Sequence, residues 1–259
     1  MKLLITALTL NAQRVLAFRT SFILDILASL AVVSVNVVFW QIIYGRVSHL
    51  PGFTIGQTFL FLFFVELFFS LSMSVFVGSG KFWGSINTGR LDVYLARPGD
   101  PRVLLTLISM RLENLLRAVP SLLLLLVLAL SHGAILTLGG LLAALVITVL
   151  GAVTYAFLQM AGSWVAFWAG RTQVLDELTD SLTELTRYPH TIFPKAVQFF
   201  LMTALPFGYA GTQPALLAAA SPQLLLLGTL AAAGVALIWL AIQNLLWKKG
   251  LKVYESSNG

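Results

Sequence analysis

The chain has no cysteine, so it can build neither a disulfide framework nor a thiolate metal site. Its three histidines, His49, His132 and His190, stand apart at loops without ligand spacing, which argues against a histidine-bound metal. Ser, His and Asp never assemble into a recognisable nucleophile elbow. Charge is scarce: 10% of the 259 residues are charged, against about 25% in an ordinary soluble domain. So few polar groups cannot cover a water-soluble fold of this size. Together with 58% hydrophobic residues and a mean hydropathy of +0.91, this excludes a soluble enzyme, a nucleic-acid-binding domain and a disordered chain as main readings. The formal net charge of +6 would suggest nucleic acid only if the cations formed a patch. They mark one side of a membrane instead.

What the sequence has in abundance is long apolar runs. A membrane helix needs roughly 20 such residues to cross a hydrocarbon core of about 30 Å. Residues 21–44 form the first run, with Asp25 near its start, and residues 53–77 the second, with Glu66 near its middle. Residues 118–170 carry no Lys, Arg, Asp or Glu, which is too long for one crossing and suits two, turning at Ser131-His132-Gly133. A second uncharged run, 196–247, again suggests two, with Pro206, Pro214 and Pro222 breaking its middle. The expectation is an all-α, polytopic membrane protein with six spans, about 21–44, 53–77, 111–131, 138–170, 195–209 and 223–247. Residues 207–221 are too interrupted to span, but could dip into the membrane if protein shields their backbone.

Alternating the connections puts fifteen of the sixteen Lys and Arg residues on one side, with only Arg46 opposite. By the positive-inside rule both termini are expected in the cytoplasm. Residues 1–20 read as an interfacial helix rather than a cleaved signal: no small-residue cleavage site follows Leu3 to Leu10, and Thr6, Thr9 and Gln13 recur at helical spacing.

Two segments are expected on the cytoplasmic side. The first, 78–102, opens with VGSGKFWG, which invites a phosphate-loop reading. Val75 stands where the first glycine of that motif belongs and Phe82 replaces its hydroxyl residue, so a helix end at the membrane face is preferred, with Trp83 at headgroup level. It continues as GRLDVYLARPGDPR, where Leu91, Tyr94 and Leu95 share a helical face and Pro98, Gly99 and Pro101 force a break. Residue physics leaves two readings open, a rigid knob or a basic loop that only enforces topology. The second segment, 172–186, sets Leu175, Leu178, Leu182 and Leu185 on one face and Asp176, Asp180 and Glu184 at i, i+4 spacing on another. That acidic face suits water or a basic protein surface, or simply a solvated extension of the fourth span.

The whole pattern resembles permeases of the type-2 ABC exporter class, closest to a bacterial branch of small permease subunits without an ATPase domain. The carriers are GRLDVYLARPGDP (89–101) and RYPHTIFPKAVQFFLMTALPFGYAGTQPA (187–215). The resemblance implies a multi-pass protein of the bacterial cytoplasmic membrane, paired with a second permease, identical or homologous. It implies two copies of a cytoplasmic ATP-binding subunit, which would hold ATP and Mg²⁺, while this chain itself binds no cofactor and no nucleic acid. It places the ATPase-coupling helix on Arg90, Leu91, Asp92, Tyr94, Leu95, Arg97 and Pro98. A secondary cytoplasmic contact falls on Asp176, Asp180 and Glu184.

Ionisable residues inside a membrane are functional candidates by default. Glu66 is therefore a translocation-pathway candidate, with Asn36 and Gln159 as pathway groups or as its hydrogen-bond partners. Asp25 is expected to pair with Arg19, and Glu113 with Arg117 at i, i+4. Trp40, Trp164, Trp168, Trp239 and Trp247 read as an interfacial belt. The rival readings are a secondary transporter, which would want matching helix breaks in both halves, an intramembrane enzyme, which would want paired deep polar groups, and a membrane scaffold or insertase-like protein.

Overall fold

The computed structural model describes residues 19–46, 53–170 and 173–254. The expected interfacial helix at 1–20 lies, but for its last two residues, outside these. The described chain is helical, without β-strands. Five helices are long and apolar enough to cross a membrane: α1 (Arg19–Arg46), α2 (Ile55–Val75), then, after the short helices α3 (Phe82–Asn87), α4 (Leu91–Leu95) and α5 (Pro101–Ser109), α6 (Glu113–Ser131) and α7 (Leu138–Trp164), which α8 (Ala166–Ala169) prolongs. The short helices α9 (Gln173–Thr183), α10 (Lys195–Thr203) and α11 (Thr212–Leu217) then lead to the long α12 (Pro222–Val253).

Local chemistry sets several starts. Thr54 and Gln57 form a reciprocal capping box at α2. Thr137 Oγ1 accepts from Gly140 N at α7, 3.0 Å, and Asp100 caps α5 ahead of Pro101. The long helices run alternately between two ends of the bundle. At one end Arg111 N donates to Ser74 O, 2.7 Å, joining the end of α2 to the approach to α6. There Phe82, Leu91, Trp164 and Trp247 share a cluster. Most of the basic side chains among the described residues lie toward this end, which we call the basic end. At the opposite end the α6–α7 turn touches the start of α2, and Thr137 N donates to Ala218 O, 3.1 Å. α7 lies close to α12 and α2 to α6. Gly140 permits the tightest approach: a Cβ there would run into the Ala218 carbonyl.

The expected fifth span at 195–209 is corrected. It is not one helix: α10 has 9 residues, about 13.5 Å of rise and under half a hydrocarbon core. Proline divides the passage at Pro189, Pro194 and Pro206. The chain crosses between the two ends in pieces: α9, 3₁₀ turns at Glu184–Arg187 and His190–Ile192, α10, a third turn at Pro206–Tyr209, and α11. Pro206, Phe207, Gly208 and Tyr209 are all buried. Side chains capture loose backbone groups: Gln198 Nε2 donates to Phe193 O, 2.8 Å, and Trp239 Nε1 to Thr203 O, 3.0 Å. His190 N donates to Thr212 Oγ1, 3.1 Å.

Gly140→Val should lower the melting temperature of the detergent-purified protein, since the backbone contact cannot relax by a rotamer change. The expected cost is about 1–3 kcal/mol, read by thermal unfolding against Gly139→Val, which meets only a leucine side chain.

Candidate functional site

Two places on the bundle carry chemistry. The first is the knob at the basic end. Gly89 at φ +68° and Gly99 at φ +116° adopt backbone that side-chain-bearing residues resist, and between them α4 projects as a compact unit. Leu91 is only 1% exposed, inside the cluster with Phe82, Trp164 and Trp247, and Tyr94 packs at its margin. Arg90, Val93, Leu95, Arg97 and Pro98 are exposed. Val93 is 55% exposed and Leu95 38%, so the knob's tip offers two apolar side chains between two arginines. Of the coupling residues expected from sequence, Leu91 and Tyr94 are therefore anchors that hold the knob, and the outward face is Arg90, Leu95, Arg97 and Pro98. Val93 belongs to that face and was missed, because it lies off the Leu91–Tyr94 stripe that identified the helix.

Arg102 fastens the knob's exit to the last helix. Its Nε donates to Asp100 Oδ1, 3.0 Å, and its Nη2 lies 2.5 Å from Asp100 Oδ2. Its Nη1 donates to Gln243 Oε1, 3.2 Å, and to Asn244 Oδ1, both on α12. The guanidinium carbon stands 5.6 Å from the Trp247 ring centre. Trp164 Nε1 shares the Gln243 oxygen, 3.3 Å. The Asp100 carboxyl is held below the usual carboxylate range, chiefly by its hydrogen bond from Arg102. Burial and the nearby Asp92 carboxylate push the Tyr254 phenol, just beyond α12, up to about 12. This bracket was not foreseen. Burial corrects the belt reading for three tryptophans: Trp164 and Trp247 pack within this bracket and Trp40 within a separate cluster on α1, while Trp168 is 48% exposed.

The second place is a cavity of about 300 Å³ between α1, α2, α6 and the Glu184–Arg187 turn. Glu66, midway along α2, lines it with Asn36, Thr183, Glu184, Thr186 and Arg187. Ser29 Oγ lies 3.5 Å from Glu66 Oε1 and 3.0 Å from Ser121 Oγ. Arg187 pairs with Glu184, Nε to Oε2 at 2.5 Å and Nη2 to Oε1 at 2.9 Å.

Several expected placements change here. Glu184 and Arg187 stand beside the middle of α2, not at the bundle's basic end, because the turn after α9 enters between the long helices while Leu182 and Leu185 pack toward Phe68 and Tyr155. Asp180 is exposed on α9, and the side chain of Asp176 lies outside the described residues. Glu66 and Asn36 line the same cavity, but Asn36 Nδ2 donates to Val32 O, 2.9 Å, and Glu66 turns to Ser29. Gln159 is elsewhere, accepting from Ser79 Oγ, 2.8 Å, and donating to the Tyr155 hydroxyl, 3.0 Å. Asp25 pairs with Arg117 at 3.2 Å in place of Arg19, and this takes Arg117 from Glu113. Among the described residues no group of His, Asp and Glu is arranged to hold a metal. The former phosphate-loop candidate is packed structure: Ser79 is buried and Phe82 stacks on Trp164 with ring centres 4.9 Å apart.

A family model described as ABC-2 family transporter protein matches residues 30–258. The chain belongs to the ABC-2 transporter family. No curated protein and no solved structure matches it. An ABC-2 permease is a membrane-embedded transport component, not itself catalytic, and the family implies a lipid bilayer around it and an ABC ATPase as partner. The protein is thus a multi-pass membrane permease.

Asp100→Ala should speed amide exchange over residues 102–105 roughly fivefold, the counterpart of about 1 kcal/mol for a lost N-cap. Because the folded-state pKa of Asp100 lies below its unfolded value, its contribution is present at neutral pH and disappears as pH falls through that lowered value. Exchange measured by mass spectrometry down a pH series, corrected for intrinsic rates, checks both.

Proposed function

We propose that this chain is the permease half of an ATP-driven exporter, and that α4 is the helix through which a separate cytoplasmic ATPase drives it. The observation that carries the reading is the knob: apolar Val93 and Leu95 exposed at a basic tip, on a short helix whose other face is locked into the bundle. An exposed apolar pair on a rigid mount fits a groove in a partner. The basic end is then the cytoplasmic face, and both termini are cytoplasmic. A second permease, identical or homologous, completes the pathway, and two ATPase subunits bind below it, holding ATP and Mg²⁺. The bacterial cytoplasmic membrane is the expected site.

The mechanical route is α4 to α5 to α12. ATP-driven closure of the two ATPases pushes the knobs, and Arg102 passes the displacement to Gln243 and Asn244 on the last helix and to Trp164 on α7. Alternating exposure of the pathway follows if the two arrangements are discrete. Export requires weaker ligand binding in the outward arrangement.

The test is co-purification of the chain with the ATP-binding subunit encoded nearest to it. Val93→Asp with Leu95→Asp should leave insertion and melting temperature unchanged, yet reduce recovered ATPase at least tenfold and abolish its stimulation. Full recovery with the double variant would dismiss α4 as the coupling element. Leu91→Asp is the contrasting control: buried at 1%, it should disrupt the knob and lower stability as well.

A further inference from the structure

We propose that the Glu66 cavity, with the aromatic cleft that adjoins it, binds an amphipathic organic cation. The inference rests on the permease reading and adds a ligand class to it.

Charge comes first. The cavity is lined by two carboxylates and one guanidinium, and Arg187 is engaged with both oxygens of Glu184. Among the described residues Glu66 has no cation within ion-pairing distance; its neighbour is the Ser29 hydroxyl. An ionised carboxylate midway along a membrane helix is costly unless paired, so the cavity's open electrostatic demand is for one positive charge.

The neutral groups point the same way. Thr186 Oγ1 donates its proton to Thr183 O, 2.6 Å, and Thr183 Oγ1 donates to Asp180 O, 2.5 Å. Asn36 uses an amide N–H on Val32 O. What remains toward the cavity is chiefly acceptors: two hydroxyl oxygens, the Asn36 carbonyl oxygen and the Glu66 carboxylate; the donors left over are the second Asn36 N–H and the Arg187 N–H groups that Glu184 does not engage, and that guanidinium's charge is already matched by Glu184. Acceptors receive hydrogen bonds from ammonium or guanidinium groups and offer nothing to an anion.

Shape gives the rest of the ligand. A second cleft of about 440 Å³ shares Val32, Asn36 and Arg187 with the first and is lined by Phe39, Trp40 and Tyr188. Trp40 and Tyr188 meet edge to face with ring centres 6.4 Å apart. Aromatic walls accept an apolar body and also favour a cation over an anion. The two volumes fall within the range of drug-sized ligand sites. The charged end sits at Glu66 and the apolar body lies along Phe39 and Tyr188, whose outer surfaces are exposed at the flank of the bundle.

The probes are tetraphenylphosphonium and tetraphenylborate, ions of equal shape and opposite charge, titrated onto the full-length permease in lipid nanodiscs with empty discs subtracted. Saturable binding of the cation is expected, at least tenfold tighter than that of the anion. Glu66→Gln should weaken cation binding tenfold or more and leave anion binding unchanged. Phe39→Ala, at a partly exposed position, should weaken it severalfold at unchanged melting temperature. Cation binding indifferent to both substitutions, preference for the borate, or no saturable binding would each overturn the site. So would efficient cross-linking of two chains through Val35→Cys, in a protein otherwise free of cysteine, if the phosphonium does not compete: a second copy would then fill the cleft. The assay needs no ATPase. Binding without a co-purifying ATPase would keep the site and sink the exporter reading, and the reverse result would sink the site alone.

Discussion

In hydrocarbon, every backbone N–H and C=O must find its partner inside the protein. Among the described residues, five helices meet that demand by their own ladders. The stretch between α9 and α12 cannot, because its prolines interrupt the ladder, and its placement follows from that failure. It is threaded between α2, α7 and α12, where Gln198, Trp239 and Thr212 supply the missing partners. Small residues let it approach: a Cβ on Gly151 would lie 2.8 Å from Tyr209 Cβ, and one on Gly211 would lie 2.8 Å from Phe61 Cδ2.

The broken passage also makes the polar cavity. A continuous helix in its place would present one face along its whole length. The turn at Glu184–Arg187 instead brings two threonines, a carboxylate and a guanidinium to the level of Glu66. Glu184 and Arg187 neutralise each other there, so the half-buried acid on α2 is left as the site's distinguishing charge. At the basic end the reverse principle operates. Rigidity is gained by burying Leu91 and clamping Arg102, and the residues left over, Val93 and Leu95 among arginines, define a surface for a partner.

Much of this was legible in the residues. Run length and the scarcity of charge identify the membrane class, and the segregation of Lys and Arg identifies one end. Gly89 and Pro98 bracket the knob, and Glu66 announces itself as an acid inside an apolar run. The fifth passage was misplaced, since hydropathy counts apolar residues and is blind to where a proline-broken chain finds hydrogen-bond partners. The acidic stripe at Asp176, Asp180 and Glu184 reads as one environment, although its far end, still exposed, reaches the rim of the Glu66 cavity. Helical periodicity gives a face and not a neighbour. The Asp25–Arg117 pair joins residues 92 positions apart, and no local spacing could favour it over Arg19.

The sequence by itself determined the class of molecule, the long helices and the breaks on either side of the knob, because each follows from local chain chemistry: hydrophobic length, capping, the backbone freedom of glycine and the stiffness of proline. Only the tertiary structure decided which polar groups meet. Arg102 finds Gln243 and Asn244, and Glu66 shares a cavity with Thr183 and Thr186, because scarce polar groups in a mostly apolar bundle settle where packing brings partners across the chain.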